Sequence, residues 1–134
     1  MKTGENVKRR DLVHPELSYK IVGALFDVYN VLGHGLLEKN YQRAVAEAFK
    51  TRGIAFKEQV PVPLSFQGKE IGKYFLDFLV EESVVLELKQ GDRFRKGNLD
   101  QVNAYLRSSG LRLAILANFT QNGVLFRRIV NTNS

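Results

Sequence analysis

A chain of 134 residues, 44% apolar and 25% charged, has the make-up of one globular domain with one core. Cysteine is absent, which excludes disulfides, thiol catalysis and cysteine-ligated zinc, and with two histidines a histidine-rich metal site is not expected. The net charge of +6 is uneven: residues 1–84 hold 12 basic and 11 acidic side chains, residues 85–134 eight and three, so the second part carries a field suited to a phosphate backbone.

Residues 1–13, with the basic cluster Lys8-Arg9-Arg10, read as a flexible N-terminal segment. No signal-type apolar stretch follows them, so a cytoplasmic protein is expected, and no apolar run is long enough for a membrane helix. From Pro15 to Leu32, Leu17, Ile21, Leu25, Val28 and Leu32 recur at helical intervals, and Gly33 and Gly35 end the run. His34, between those glycines, reads as a loop residue. A second helix is predicted from Leu36 to Thr51, closing at Gly53, with Leu37, Ala44, Val45, Ala48 and Phe49 as its packing surface. Glu38 lies three residues before Tyr41 and four before Gln42, so the three share one side of it.

Three extended stretches follow. Residues 56–66 hold Pro61 and Pro63, each lacking a ladder donor, which suits an edge strand. After the turn at Gln67-Gly68-Lys69, a strand from Glu70 to Val80 turns at Glu81–Ser83 and returns along Val84–Lys89, forming an antiparallel meander. A polar loop from Gln90 to Lys96 precedes a third helix, Asn98 to Ser108, stopped by Gly110. Leu111 to Phe119 reads as a strand covered on both faces, and Asn122-Gly123 turns the chain into a last strand, Val124–Val130. Residues 131–134 are expected to fray. The order α-α-β-β-β-α-β-β implies an α/β domain over 14–130, with a mixed central sheet and helices against it.

Two acids are out of place in this pattern. Asp77 stands between Leu76 and Phe78, and Glu87 between Leu86 and Leu88. Carboxylates among such neighbours are costly unless paired, hydrogen-bonded or bound to a cation. Adjacent strands would bring them within ångströms of each other. There they repel and raise a pKa unless a divalent ion intervenes, and an all-oxygen set favours Mg²⁺ or Mn²⁺. Lys89 shares a strand face with Glu87 and would orient water or stabilise developing negative charge; the plainer alternative is a salt bridge to one acid. No Gly-rich phosphate loop, G-x-S-x-G elbow or H-E-x-x-H is present.

The ordered set Gly35-Leu36-Leu37-Glu38-Lys39-Asn40-Tyr41, Asp77, Glu87-Leu88-Lys89, Gln101 with Tyr105-Leu106, and Asn118-Phe119 resembles the PD-(D/E)XK nuclease superfamily, and more narrowly its GxxExxY proteins. The resemblance spans residues 14–130. It implies a restriction-endonuclease-like αβββαβ core with an extra N-terminal helix and a C-terminal strand. It further implies Asp77, Glu87, Glu38 and the Leu88 carbonyl as metal ligands, Lys89 as the water-positioning group, and Gln101 beside phosphate or metal-bound water. Tyr41 and Tyr105 would be supporting residues. Relatives often carry a His shortly before the glutamine, whereas this chain reads Gly97-Asn98-Leu99-Asp100. The function so implied is divalent-metal-dependent phosphodiester hydrolysis of DNA, with RNA left open. The alternative is a nucleic-acid-binding protein whose site is inactive or needs a partner. Arg93, Arg95 and Lys96 are expected to face phosphate, with Arg127 and Arg128 as helpers, and a homodimer is one way to engage two strands.

Overall fold

The computed structural model describes residues 13–89, 91 and 94–131. Among the described residues, three helices, α1 (Pro15–Leu32), α2 (Glu38–Arg52) and α3 (Lys96–Ser109), accompany five strands: β1 (Phe56–Phe66), β2 (Lys69–Val80), β3 (Val84–Lys89), β4 (Leu113–Thr120) and β5 (Gly123–Val130). The strands form one sheet in the order β1-β2-β3-β4-β5. All neighbours run antiparallel except β3 and β4, which are parallel because α3 carries the chain back between them. This mixed sheet with helices on both faces is the architecture expected of a restriction-endonuclease-like fold.

Alternation along the strands divides the core in two. On one face Phe78, Val80, Leu86, Leu88, Ile115 and Ala117 meet Ile21, Leu25 and Val28 of α1 and Tyr41, Val45 and Phe49 of α2. On the other, Leu76, Leu79, Val85 and Leu116 meet Val102 and Leu106 of α3. β3 and β4 are buried on both sides, which is why they are almost wholly apolar.

The helix starts differ from expectation. α2 begins at Glu38 rather than Leu36, because Leu37 is extended and caps it. α3 begins at Lys96, since Asn98 and Leu99 both donate their N–H to the Arg95 carbonyl, so Gly97 and Lys96 lie in its first turn and not in a loop. The β2–β3 turn places Glu81 and Glu82 at φ 49° and 57°, the doubly left-handed hairpin geometry usually left to Asn and Gly. The N–H of Ser83 closes it on the Val80 carbonyl at 2.9 Å, and Lys57 pairs with Glu82 at 2.7 Å.

β2 pairs with β3 only from Phe78 to Val80, yet with β1 as far as Lys69. Below Phe78 the two strands therefore part. Gln59, opposite Asp77, has a left-handed φ of 48° and forms no ladder pair. This irregularity moves Leu76 to the α3 face while Phe78 stays on the α1–α2 face.

Candidate active site

Asp77 and Glu87 meet where β2 leaves β3. The next ladder pair after Phe78–Leu86 would join them, and their side chains take the place of that pair. Asp77 N–H donates to Oε2 of Glu87 at 2.8 Å, and Leu88 N–H donates to Oδ2 of Asp77 at 2.7 Å. Each carboxylate thus satisfies a backbone donor that the parting strands have freed. Glu87 is 5% exposed. Its second oxygen, Oε1, lies 3.3 Å from Nζ of Lys89, which is itself only partly exposed. The second oxygen of Asp77, Oδ1, accepts a long bond of 3.4 Å from Gln59.

Electrostatics follow from this crowding. Burial, and then the Asp77 charge, pushes the Glu87 carboxyl up to about 7 despite its hydrogen bond and Lys89. Burial also raises Asp77, opposed by the Leu88 N–H, Lys89 and Gln59. Glu38, at the start of α2, is raised by burial and then by Asp77, and lowered by Lys89, so it belongs to the same field.

A cavity of about 350 Å³ is lined by Glu38, Tyr41, Leu88 and Lys89, the His34–Leu36 loop and Phe119; Asp77 and Glu87 are not among its lining residues, and Leu88 and Lys89 connect it to them. The ion pair that offered the plainer reading of Lys89 is present, and this cavity adjoins it. Tyr41 builds the wall: its ring stacks on Phe119 at 4.2 Å, and its hydroxyl donates to the Gly33 carbonyl at 2.6 Å and accepts from Leu36 N–H. Gly33 and Gly35 both have positive φ, which lets the chain turn sharply between α1 and Glu38. Asn118, in register with Lys89 on β4, donates to the Gly91 carbonyl at 2.7 Å and fixes the exit of β3.

Other expected residues lie elsewhere. Gln101 is exposed and lines a second groove, about 430 Å³, with Tyr74, Tyr105, Val62 and Ser65. It does not border the Glu38–Lys89 cavity, because α3 packs on the sheet face opposite α2. Tyr74 links the groove to the acids electrostatically: burial, then the Glu87 charge, pushes its hydroxyl up to about 12. Arg128, expected as a phosphate helper, donates to the Val13 carbonyl and to Ser18 Oγ and so ties β5 to the start of α1. Arg127 is exposed on β5, two strands from β3. Arg95 and Lys96 are exposed at the start of α3, with Lys96 3.7 Å from Asp100, whereas Arg93 falls outside the described residues.

Two partners of Asp77 escaped the sequence reading as site residues. Gln42 donates to the Asp77 carbonyl at 3.1 Å and to Glu58 at 3.0 Å, and Gln59 reaches its side chain. Gln42 could have been found from its place one turn beyond Glu38; nothing in the sequence marks Gln59.

The model of the PD-(D/E)XK nuclease superfamily matches residues 15–129, which is most of the chain. The chain belongs to that superfamily. Among solved structures, similar ones include an alkaline exonuclease from Laribacter hongkongensis (11% identity, TM-score 0.47, 81% of this chain and 77% of that one). The same exonuclease in complex with dAMP scores 0.48 at the same identity and coverage. SSO0001 scores 0.43 at 14% identity, over 88% of this chain and 78% of that one. Likeness at this level identifies neither substrate nor mode of cleavage. No curated protein matches the sequence.

PD-(D/E)XK nucleases generally use divalent metal ions. Among the described residues, no group of three or more His, Asp or Glu side chains gathers closely enough to hold an ion. Two carboxylates do fit one: Oδ1 of Asp77 and Oε1 of Glu87 are hard oxygen donors that keep a long hydrogen bond from Gln59 and a lysine partner. Two like charges held this close, one buried and one half-buried, favour a cation or a proton between them.

Proposed function

We propose that the protein is a divalent-metal-dependent nuclease of the GxxExxY type, hydrolysing phosphodiester bonds in DNA in the cytoplasm. The observation that carries this reading is the Asp77–Glu87 junction. A buried Glu87 accepts from the Asp77 N–H and a half-buried Asp77 accepts from the Leu88 N–H, with Lys89 paired to Glu87 and lining a cavity. Asp77, Glu87 and the Leu88 carbonyl would hold Mg²⁺ or Mn²⁺, with Glu38 as an outer acid across the cavity. The chemistry supplied by the bound ion is polarisation of a phosphoryl oxygen and a lower pKa for water. Lys89 positions the attacking water through its Nζ and offsets negative charge as it develops. Tyr41 keeps Glu38 and the Gly33–Leu36 loop in place. Arg95 and Lys96, exposed at the start of α3, supply phosphate contacts.

Purified protein is expected to cleave at least one member of a panel of duplex, single-stranded, flapped and branched DNA and RNA, and only with Mg²⁺ or Mn²⁺. Asp77→Asn and Glu87→Gln should abolish that cleavage. Metal-dependent binding with no cleavage on any substrate favours a binding module over an enzyme. Equal cleavage by wild type and Glu87→Gln overturns the assignment.

A further inference from the structure

Beyond the acids, β1 and β2 continue alone as a two-stranded ribbon. β2 has no β3 partner from Lys69 to Leu76, a length of roughly 23 Å at the usual rise of an extended strand. One side of the ribbon is covered: Val60, Val62, Tyr74 and Leu76 pack toward α3. The alternate residues form the other side, with Pro61 opposite Phe75 and Pro63 opposite Lys73, until a register shift at Leu64–Ser65 leaves Ile71 unpaired. Toward the ribbon, α2 reaches β2 as far as Asp77, through Gln42, and the exposure of Phe75 and Lys73 leaves this side open. Phe75 is 49% exposed and Ile71 68%, an unusual cost for a ribbon that ends beside an acidic cleft.

We infer that this open side is a stacking platform for unpaired bases, which makes single-stranded or locally melted nucleic acid the substrate class of the adjoining site. The inference rests on the nuclease reading for its orientation. Phe75 is two residues from Asp77 on the same strand, so a base stacked on its ring places its phosphate beside the acids. Lys73 is two residues from Phe75 on the same side, and neither it nor Lys69 has an ion pair among the described residues, leaving both for phosphate. An exposed aromatic ring and a cation two residues apart on one side match a strand whose bases and phosphates alternate. A second copy of the chain is the other occupant such a face could take. Pro61 and Pro63 oppose its simplest route, because β1 cannot present a continuous row of edge donors to another strand.

The test measures binding with chelator present, so that it does not depend on cleavage. Labelled oligothymidine and a hairpin duplex are titrated with wild type, Phe75→Ala, Phe75→Leu, Phe75→Trp and Lys73→Ala. Phe75→Ala and Phe75→Leu should each weaken oligothymidine binding about tenfold, as expected for one lost base stack. Duplex binding should change less, and Phe75→Trp should bind like wild type. Lys73→Ala should flatten the salt dependence by about one ion. The exposure of both side chains leaves the fold intact in each variant. Unchanged oligothymidine affinity in Phe75→Leu, equal losses on both ligands, or no binding by wild type overturns the platform. So does a wild-type dimer in sedimentation that Phe75→Ala dissolves, which would assign the face to a second copy. Failure of cleavage in the metal-dependent panel, with these binding results intact, removes the catalytic reading and leaves the platform standing.

Discussion

Strands β2 and β3 touch over a few residues, and the two ends of that contact are built on different physics. At the turn end, Phe78, Val80, Val84 and Leu86 are fully buried and the ladder is regular. Phe78 packs edge-on against Phe49 and Phe56, with ring centroids 5.3 and 5.7 Å away. One pair further along, burial is nearly as deep at Glu87, but the ladder has stopped and carboxylates accept the backbone N–H groups that it has released. Apolar burial stabilises the first end directly. The second end holds charge against desolvation, and that cost appears as raised pKa values at Glu87 and Asp77. A buried acid therefore persists where the sheet opens and donors are free, and the same opening leaves the space a reaction needs.

The largest effect outside the cleavage panel belongs to the turn end. Phe78→Ala should lower stability by about 3–5 kcal/mol by emptying the space between Phe49 and Phe56, measured by denaturant unfolding. A loss under 1 kcal/mol would show that the two ends are not built differently. At the open end the pH dependence has a defined sign. Unfolded, Glu87 titrates near 4.5, and folded near about 7, so between those values the folded protein keeps a proton the unfolded chain has lost. Metal-free protein should therefore lose up to about 3 kcal/mol as pH rises through that window. Glu87→Gln should remove most of this slope and be the more stable protein at pH above 7. A slope unchanged in that variant would place the titrating group elsewhere.

Lys89→Ala removes the only cation paired with Glu87 among the described residues. It should retain metal binding by calorimetry while slowing cleavage about a hundredfold, the scale of one lost charge-stabilising group. Loss of metal affinity without a change in turnover would make Lys89 a structural partner instead. Glu38→Gln should have the smallest effect, a few-fold loss that varies with substrate, because Glu38 feels the Asp77 charge with no hydrogen bond between them. An effect as large as that of Glu87→Gln would promote it to a direct metal ligand.

Much of the fold was legible because periodicity and turn chemistry act locally. The apolar intervals of α1 and α2, the stops at Gly33, Gly53 and Gly110, and the double-sided burial of β4 all follow from residue order alone. Asp77 and Glu87 stood out because acids in apolar strands are rare without a reason. Gln42 and Gln59 did not, since polar residues on a helix face or an exposed edge strand are ordinary until a partner is known. Arg128 looked like surface charge for the same reason, although it bonds to Val13 and Ser18 at the start of α1, more than 100 residues away in sequence.

By itself the sequence determined which segments are helix and strand, that two of its acids are misplaced by hydrophobic pattern, and that Lys89 shares a strand face with one of them. Tertiary structure alone decided which of these residues meet. The parting of β2 from β3 at Asp77 and the left-handed break at Gln59 lie outside any local pattern, because they depend on pairing between strands. The separation of Gln101 from Glu38 has the same origin: each helix carries a suitable polar residue, and the sheet between the helices assigns them to different faces. Residue type sets what a side chain can do, whereas the long-range pairing of backbone donors and acceptors sets where it does it.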